Sequence, residues 1–283
     1  MRLDRLLTIC FSHYSTELKS LNKHIPVLMY HSISSKNQNH VHPYFKTNTE
    51  PGVFLKQMSY LKRNDYRVIG VDEALKVMHS GKPLVNKYVV ITFDDGYQDV
   101  LINALPILKE FDFTATVYLP THFIGEGGLF FNDNRCLNWQ EVNELHLNNI
   151  DIGSHTVTHP KLISLTPQEV EIELTHSKAS IEDRLGKSCD SFSYPYAFPE
   201  ENREFVIYLK QILVHSGYHN SVTTIVGTIG KNADPYLIKR IPVNSDDDEQ
   251  FFKTKLEGAY NWIHKPQVLF KYAKKILKSL NLK

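Results

Sequence analysis

The sequence predicts an α/β fold in which short buried strands alternate with helices. Three observations carry this. Residues 89–93 are continuously apolar or β-branched, the pattern of a strand covered on both faces. Similar runs recur at Ile25–Tyr30, 114–119 and 237–243. Helical spacings fill the intervals, most plainly over 166–185, where Thr166, Pro167 and Glu169 form a capping box with proline at the first position, and Gly186 closes the helix.

Bulk properties fit one large soluble domain. The chain has 283 residues, 42% hydrophobic, with a net charge of +1 that gives no general attraction to nucleic acid. Cys10, Cys136 and Cys189 lack C-x-x-C spacing, against both a disulfide framework and a thiolate zinc site.

Taken in order, residues 1–24 read as an N-terminal helical extension. Its apolar run 6–11 has no small-residue cleavage pattern and is too short to span a bilayer. It packs on the main body or on a membrane surface. Strand Ile25–Tyr30 leads to His31, and 34–50 forms a polar rim loop in which His40 and His42 could reach substrate. Phe54, Met58 and Leu61 mark a helix, 66–70 a strand, and 71–78 a helix opened by Asp72. After the 89–93 strand, 101–111 is helical with a kink at Pro106. Residues 121–138 form a long rim loop and 139–147 a helix. Residues 150–152 form a strand, 201–215 a helix, and 221–226 and 237–243 strands. The acidic run 246–249 adds favourable charge at a helix start. The closing segment 261–283 reads as a basic amphipathic helix with Leu269, Ala273, Ile276 and Leu280 on one side. Its lysines face water over the main body or meet an anionic membrane.

Two segments carry chemistry. Asp94 and Asp95 end the 89–93 strand, and Gly96 follows. An unpaired buried carboxylate is costly, so the pair either caps the next helix or divides the work of holding a cation and moving a proton. His155 and His159, in D-I-G-S-H-T-V-T-H-P, are spaced to share one side of a helical turn. Two imidazoles and one carboxylate leave room on an ion for water and substrate.

Thr92–Gly96 (T-F-D-D-G) followed about 60 residues later by Ser154–His159 (S-H-T-V-T-H) resembles the first two motifs of the polysaccharide deacetylases, the NodB-homology enzymes of carbohydrate esterase family 4. The resemblance implies a distorted (β/α) barrel of about seven parallel strands over residues 25–260. It implies a metal-dependent hydrolase that removes an N-acetyl group from an N-acetylhexosamine-containing saccharide. Asp95, His155 and His159 would hold the divalent ion, Zn²⁺ foremost, with Co²⁺, Ni²⁺ or Fe²⁺ also suited. Asp94 would be the general base and His31 the acid, in a relocated form of the family's late motif. Tyr194, Pro195 and Tyr196 match the groove-lining third motif, and the Tyr196 amide would hold the oxyanion.

The chain departs from the family at Ser193, where many members carry an arginine that orients the aspartate. Arg240 is a candidate substitute, or else a surface ion pair. A late Asp–Trp motif is also not evident. Two further readings stay open: the same site acting on another non-peptide C–N bond, and an inactive glycan-binding module. The expected location is cytoplasmic, with peripheral contact on the inner membrane face through the C-terminal helix left open.

Overall fold

The computed structural model describes residues 2–14, 24–36, 38 and 41–279. Seven strands form the barrel: β1 (Ile25–Tyr30), β2 (Lys87–Phe93), β3 (Ala115–Leu119), β4 (Ile150–Ser154), β5 (Ser191–Ser193), β6 (Asn220–Val226) and β7 (Ile238–Pro242). Each pairs in parallel with its successor, and β7 pairs in parallel with β1, so the sheet closes in sequence order. The β4–β5 seam rests on one register pair, Ser154 with Phe192, and the β6–β7 register shifts between Val222 and Val226. This is the expected distorted (β/α) barrel. Tyr66–Val68 adds a parallel strand beside β2, and Thr228–Ile229 an antiparallel one beside β1.

Strand periodicity sorts the side chains into two cores. Val27, Val90, Tyr118, Val222 and Ile238 belong to one buried cluster inside the barrel. Leu28, Tyr30, Val89, Ile91, Phe93, Val117 and Leu119 pack outward under the helices. In β2 this parity puts Thr92 on the inward face, and Asp94 follows it with the same parity.

The helices are α1 (Leu3–Tyr14), α2 (Pro51–Arg63), α3 (Val71–His79), α4 (Leu105–Phe111), α5 (Trp139–Leu147), α6 (Pro167–Leu185), α7 (Arg203–His215), α8 (Glu249–Leu256) and α9 (His264–Ser279). The capping box on α6 forms as expected, with left-handed Gly186 at its end. The 101–111 segment is helical as expected, and its irregularity lies next to Pro106. A π-helical turn, Val100–Ala104, runs directly into α4, whose second residue is Pro106; the proline has no N–H to give the preceding turn, and the wider π turn stands there. Asp72 does not cap α3; Gly70 does. The 121–138 loop contains a small hairpin, Phe130–Phe131 against Asn134–Arg135.

α1 packs onto α8 and the 3₁₀ segment Ala259–Ile263. Arg2 pairs with Asp247 at 3.0 Å, the Tyr260 hydroxyl donates to Asp4 at 2.9 Å, and the Trp262 indole donates to Thr8 at 2.9 Å. The acidic run therefore does more than complement a helix dipole: Asp248 caps α8 and Asp247 also takes the buried Lys255 ammonium at 2.7 Å. α9 docks through His264 and Lys271, both bonded to Glu200. The apolar side expected of α9 faces solvent, with Leu269 and Ala273 exposed. Leu280 lies outside the described residues.

Candidate active site

The C-terminal ends of the barrel strands gather the chemistry-bearing residues on one rim. Asp94 follows β2, and its amide donates to the Tyr30 carbonyl at 3.0 Å, tying it to the end of β1. Arg240, on the inward face of β7, spans the barrel to meet it. The guanidinium Nη1 donates to Asp94 Oδ1 at 2.8 Å and Nη2 to Oδ2 at 2.7 Å, a bidentate fork. Ser193 Oγ, at the end of β5, donates to Asp94 Oδ1 at 3.1 Å. Arg240 is fully buried, so it is no surface ion pair. Burial alone would raise the Asp94 pKa; the Arg240 charge and hydrogen bonds outweigh it and hold the carboxyl well below the usual range. The small Ser193 leaves room for a guanidinium that arrives from another strand.

Asp95 turns the other way, at a φ of 71°. It faces both imidazoles: Oδ1 lies 3.6 Å from His155 Nε2 and 3.5 Å from His159 Nε2. The two histidines are brought together by a loop and not by a helical turn. Thr156 and His159 adopt φ of 70° and 55°, Pro160 follows, and the Val157 and Thr158 amides both donate to Glu173 Oε2 of α6, at 2.7 and 2.9 Å. The ring centroids of the two histidines are 4.7 Å apart. His155 Nδ1 donates to the Ser193 carbonyl at 2.7 Å, which orients the ring with Nε2 toward Asp95. The His159 ring is held between Phe131 and Tyr196, with centroids 4.9 and 4.7 Å away.

The three donors fit a divalent ion. Separations of 3.5 and 3.6 Å are too long for hydrogen bonds. They lie near the edge of about 3.4 Å expected between ligands of a tetrahedral ion with bonds of about 2.1 Å. Burial lowers the His159 pKa to about 4, with the His155 charge adding to it, so the ring is a neutral donor at neutral pH. Burial pushes the nearby Cys136 thiol up to about 12, and its sulfur is not among the clustered donors.

His31 lies half-buried directly after β1, and its charge bears on Asp94, Asp95 and His159. The segment that follows it is anchored by Asp99, which accepts from Ser32 Oγ at 2.6 Å and the Ile33 amide at 3.0 Å. Tyr196 has a φ of 58° and is 48% exposed on the rim. Its backbone N–H makes no hydrogen bond to the described residues, while its carbonyl accepts from Thr224. Pro195 is buried beside it. Tyr194 differs from expectation: its ring is buried against Phe198 and Phe205 and supports the loop from beneath. Trp139 has Arg184 over its ring and packs against the core. His42 caps a 3₁₀ turn through the Tyr44 amide, and His40 lies outside the described residues.

Sequence reasoning missed Glu173 and Asp99. Asp99 stands five residues beyond Asp94, but nothing local marks it as an anchor for the segment after β1. Glu173 sits on an ordinary helix face, and no local signal distinguishes it.

A closed β/α barrel with an Asp–His–His cluster on its rim, beside a second clamped aspartate, defines a barrel protein equipped for hydrolytic chemistry. The family model described as polysaccharide deacetylase matches residues 81–213. YxkH of Bacillus subtilis, assigned by name to the polysaccharide deacetylases, is 30% identical over 234 residues, covering 83% of this chain and 76% of that protein. The poly-beta-1,6-N-acetyl-D-glucosamine N-deacetylase of Staphylococcus epidermidis is 24% identical over 209 residues, 71% of this chain and 69% of that protein. The chain belongs to the polysaccharide deacetylase family. Solved structures share its fold. The Streptococcus pyogenes deacetylase PplD, in complex with acetate, superposes with a TM-score of 0.70 at 23% identity, covering 83% of this chain and 99% of that one. IcaB from Ammonifex degensii gives 0.70 at 20% identity, covering 83% and 97%.

Proposed function

We propose that this protein is a divalent-metal-dependent N-deacetylase that hydrolyses the N-acetyl amide of an N-acetylhexosamine unit in a surface polysaccharide or its precursor. The observation that carries this reading is the opposite setting of two adjacent carboxylates. Asp94 is clamped and ionised by Arg240, while Asp95 is turned toward the two imidazoles of His155 and His159. The relative named for N-deacetylation of poly-beta-1,6-N-acetyl-D-glucosamine supports the substrate class.

Asp95, His155 and His159 would hold the ion, with Zn²⁺ the first choice for this donor set. When bound, the ion supplies polarisation of the acetyl carbonyl and acidification of water. Asp94 accepts the proton of the attacking water. A carboxylate held so low is always ionised but is a weak base, so it can take a proton only from a water already made acidic. The tetrahedral oxyanion is stabilised by the Tyr196 N–H on the rim. His31 protonates the leaving nitrogen; the C–N bond breaks, giving acetate and a free amine. Without that proton the amine is a very poor leaving group.

Acetate release from N-acetylglucosamine oligomers tests this, using wild type and Asp94→Asn, each chelated and then resupplied with Zn²⁺ or Co²⁺. Metal-dependent release abolished in Asp94→Asn is expected. Full activity in Asp94→Asn would sink the assignment of the base.

We also propose that α9 rests on an anionic lipid surface. Leu269 and Phe270 are each 71% exposed, and the helix carries five lysines and no carboxylate. No described helix is long and apolar enough to cross a membrane.

A further inference from the structure

The fork that Arg240 offers Asp94 is held from below as well as along its edge. The Nε of Arg240 donates to the Thr223 carbonyl at 2.9 Å; Nη1 reaches Thr92 Oγ at 3.2 Å and Nη2 reaches Ser193 Oγ at 3.1 Å, besides the two bonds to Asp94. Those contacts use the rim of the planar group. Its face lies over the ring of Tyr118, with Cζ 6.0 Å from the centroid, at the limit of a cation–π contact. Tyr118 is fully buried on the inward face of β3.

Tyr118 is itself fixed. Its hydroxyl hydrogen-bonds Ser191 Oγ at 2.8 Å; Ser191 donates to Asn220 Oδ1 at 2.6 Å; and Asn220 Nδ2 donates to Asp72 at 2.6 Å. The tyrosine reaches β5 by lying across β4, where its register partner is Gly153. A Cβ at Gly153 would stand 2.5 Å from both Cδ1 and Cε1 of the Tyr118 ring and 2.9 Å from the Ser191 carbonyl oxygen. Its ring and the neighbouring backbone occupy the space a side chain would need. Four successive strands thus interlock beneath the guanidinium: Tyr118, Gly153, Ser191 and Asn220.

We infer that Tyr118 is a positioning residue for the Arg240–Asp94 clamp, and that Gly153 is a glycine because any side chain there would displace it. The inference rests on the proposed role of Asp94 in hydrolysis. A plain core tyrosine would fill volume, and its loss would lower stability. A positioning tyrosine acts through Arg240 alone, so its effect on turnover vanishes when Arg240 is gone.

The test uses the full chain carrying Tyr118→Phe, Tyr118→Leu, Gly153→Ala, Arg240→Met and the Tyr118→Leu/Arg240→Met double variant. Crystal structures report the Arg240–Asp94 fork, and zinc-loaded protein is assayed for acetate release. Tyr118→Phe keeps the ring but drops its bond to Ser191, and is expected to lower kcat less than Tyr118→Leu. Tyr118→Leu and Gly153→Ala are expected to open the fork and lower kcat at least about tenfold, with KM and bound zinc unchanged, as for small misplacements of reacting groups. In the Arg240→Met background, Tyr118→Leu should have no further effect on kcat. An intact fork in Tyr118→Leu, or an equal kcat loss with and without Arg240, would overturn the inference. Should Tyr118→Leu fail to fold, Gly153→Ala, made alone and together with Arg240→Met, decides by the same two readouts. Should wild type release no acetate from any saccharide, the functional reading fails, while the fork geometry in the variants still decides the role of Tyr118.

Discussion

Arg240 and Asp94, 146 residues apart in sequence, close a two-bond fork of 2.8 and 2.7 Å across the barrel interior. Both side chains are at most 3% exposed. Removing one partner of such a pair strands the other charge away from water and costs about 3–5 kcal/mol. Arg240→Met is therefore expected to lower the melting temperature, and the Asp94→Asn/Arg240→Met double variant to recover part of the loss. Arg240→Lys keeps the charge but loses the planar fork, so it should fold better than Arg240→Met and still turn over at least about tenfold more slowly than wild type. Thermal melts and acetate release on the same preparations separate the two effects. Equal turnover in Arg240→Lys and wild type would show that orientation of Asp94 by the fork is unimportant.

Glu173 controls the metal loop from outside it. Its Oε2 takes the Val157 and Thr158 amides and its Oε1 takes the Thr158 hydroxyl at 2.6 Å, so three donors of the His155–His159 loop depend on one carboxylate. Glu173→Ala is expected to weaken zinc binding by about 10–100-fold, the range seen when groups supporting metal ligands are lost. Glu173→Gln, which keeps one acceptor oxygen, should fall between. Competition with a chromophoric chelator measures both. Unchanged affinity in Glu173→Ala would mean that the left-handed residues Thr156 and His159 hold the loop unaided.

These two cases bear on what was legible in the chain. The apolar runs made the buried strands legible, since a strand covered on both faces needs a continuous apolar stretch; their closure into a barrel was implied only by the resemblance that T-F-D-D-G and S-H-T-V-T-H carry. The candidate ligands Asp95, His155 and His159 were legible as residue types at strand ends. The geometry that unites the histidines was not, because i,i+4 spacing reads as a helix whereas Pro160 and the positive φ of Thr156 and His159 impose a loop. Arg240 was legible as a candidate only through the gap left by Ser193. Its burial depends on strand parity around a closed ring, a long-range property. Tyr194 misled because an aromatic in a motif does not declare which way it points. Glu173 and Asp99 act by backbone capture across tertiary contacts and leave no periodic trace.

The docking of α9 should be acid-sensitive. Glu200 accepts from His264 at 2.6 Å and from Lys271 at 3.0 Å. Burial would raise its pKa, but those two partners outweigh it and lower the pKa below the ordinary glutamate value. A carboxyl whose folded pKa is depressed binds fewer protons folded than unfolded. Its stabilisation is present above the unfolded value of about 4.3 and is lost as pH falls through the folded value. Hydrogen exchange of α9 amides in wild type and Glu200→Gln should differ clearly at neutral pH and converge once pH falls below the depressed folded pKa of Glu200. A difference that persisted into strong acid would assign the docking to packing and not to the carboxylate.

The exposed face of α9 makes a separate prediction. Leu269 and Phe270 lie outward, while His264, Gln267 and Lys271 bond to the barrel side. An interfacial helix gains from burying apolar groups and from lysines near anionic lipid, and the second gain is screened by salt. The full chain is expected to sediment with vesicles containing phosphatidylserine, to bind weakly to purely zwitterionic vesicles, and to release as salt rises. Leu269→Ser/Phe270→Ser should lose vesicle binding while keeping acetate release from short soluble oligomers, because both side chains are exposed and neither bonds to the site residues. Equal binding to both vesicle types would remove the electrostatic part of the proposal. Full binding by the double serine variant would remove the apolar part and leave α9 as a cover for the barrel.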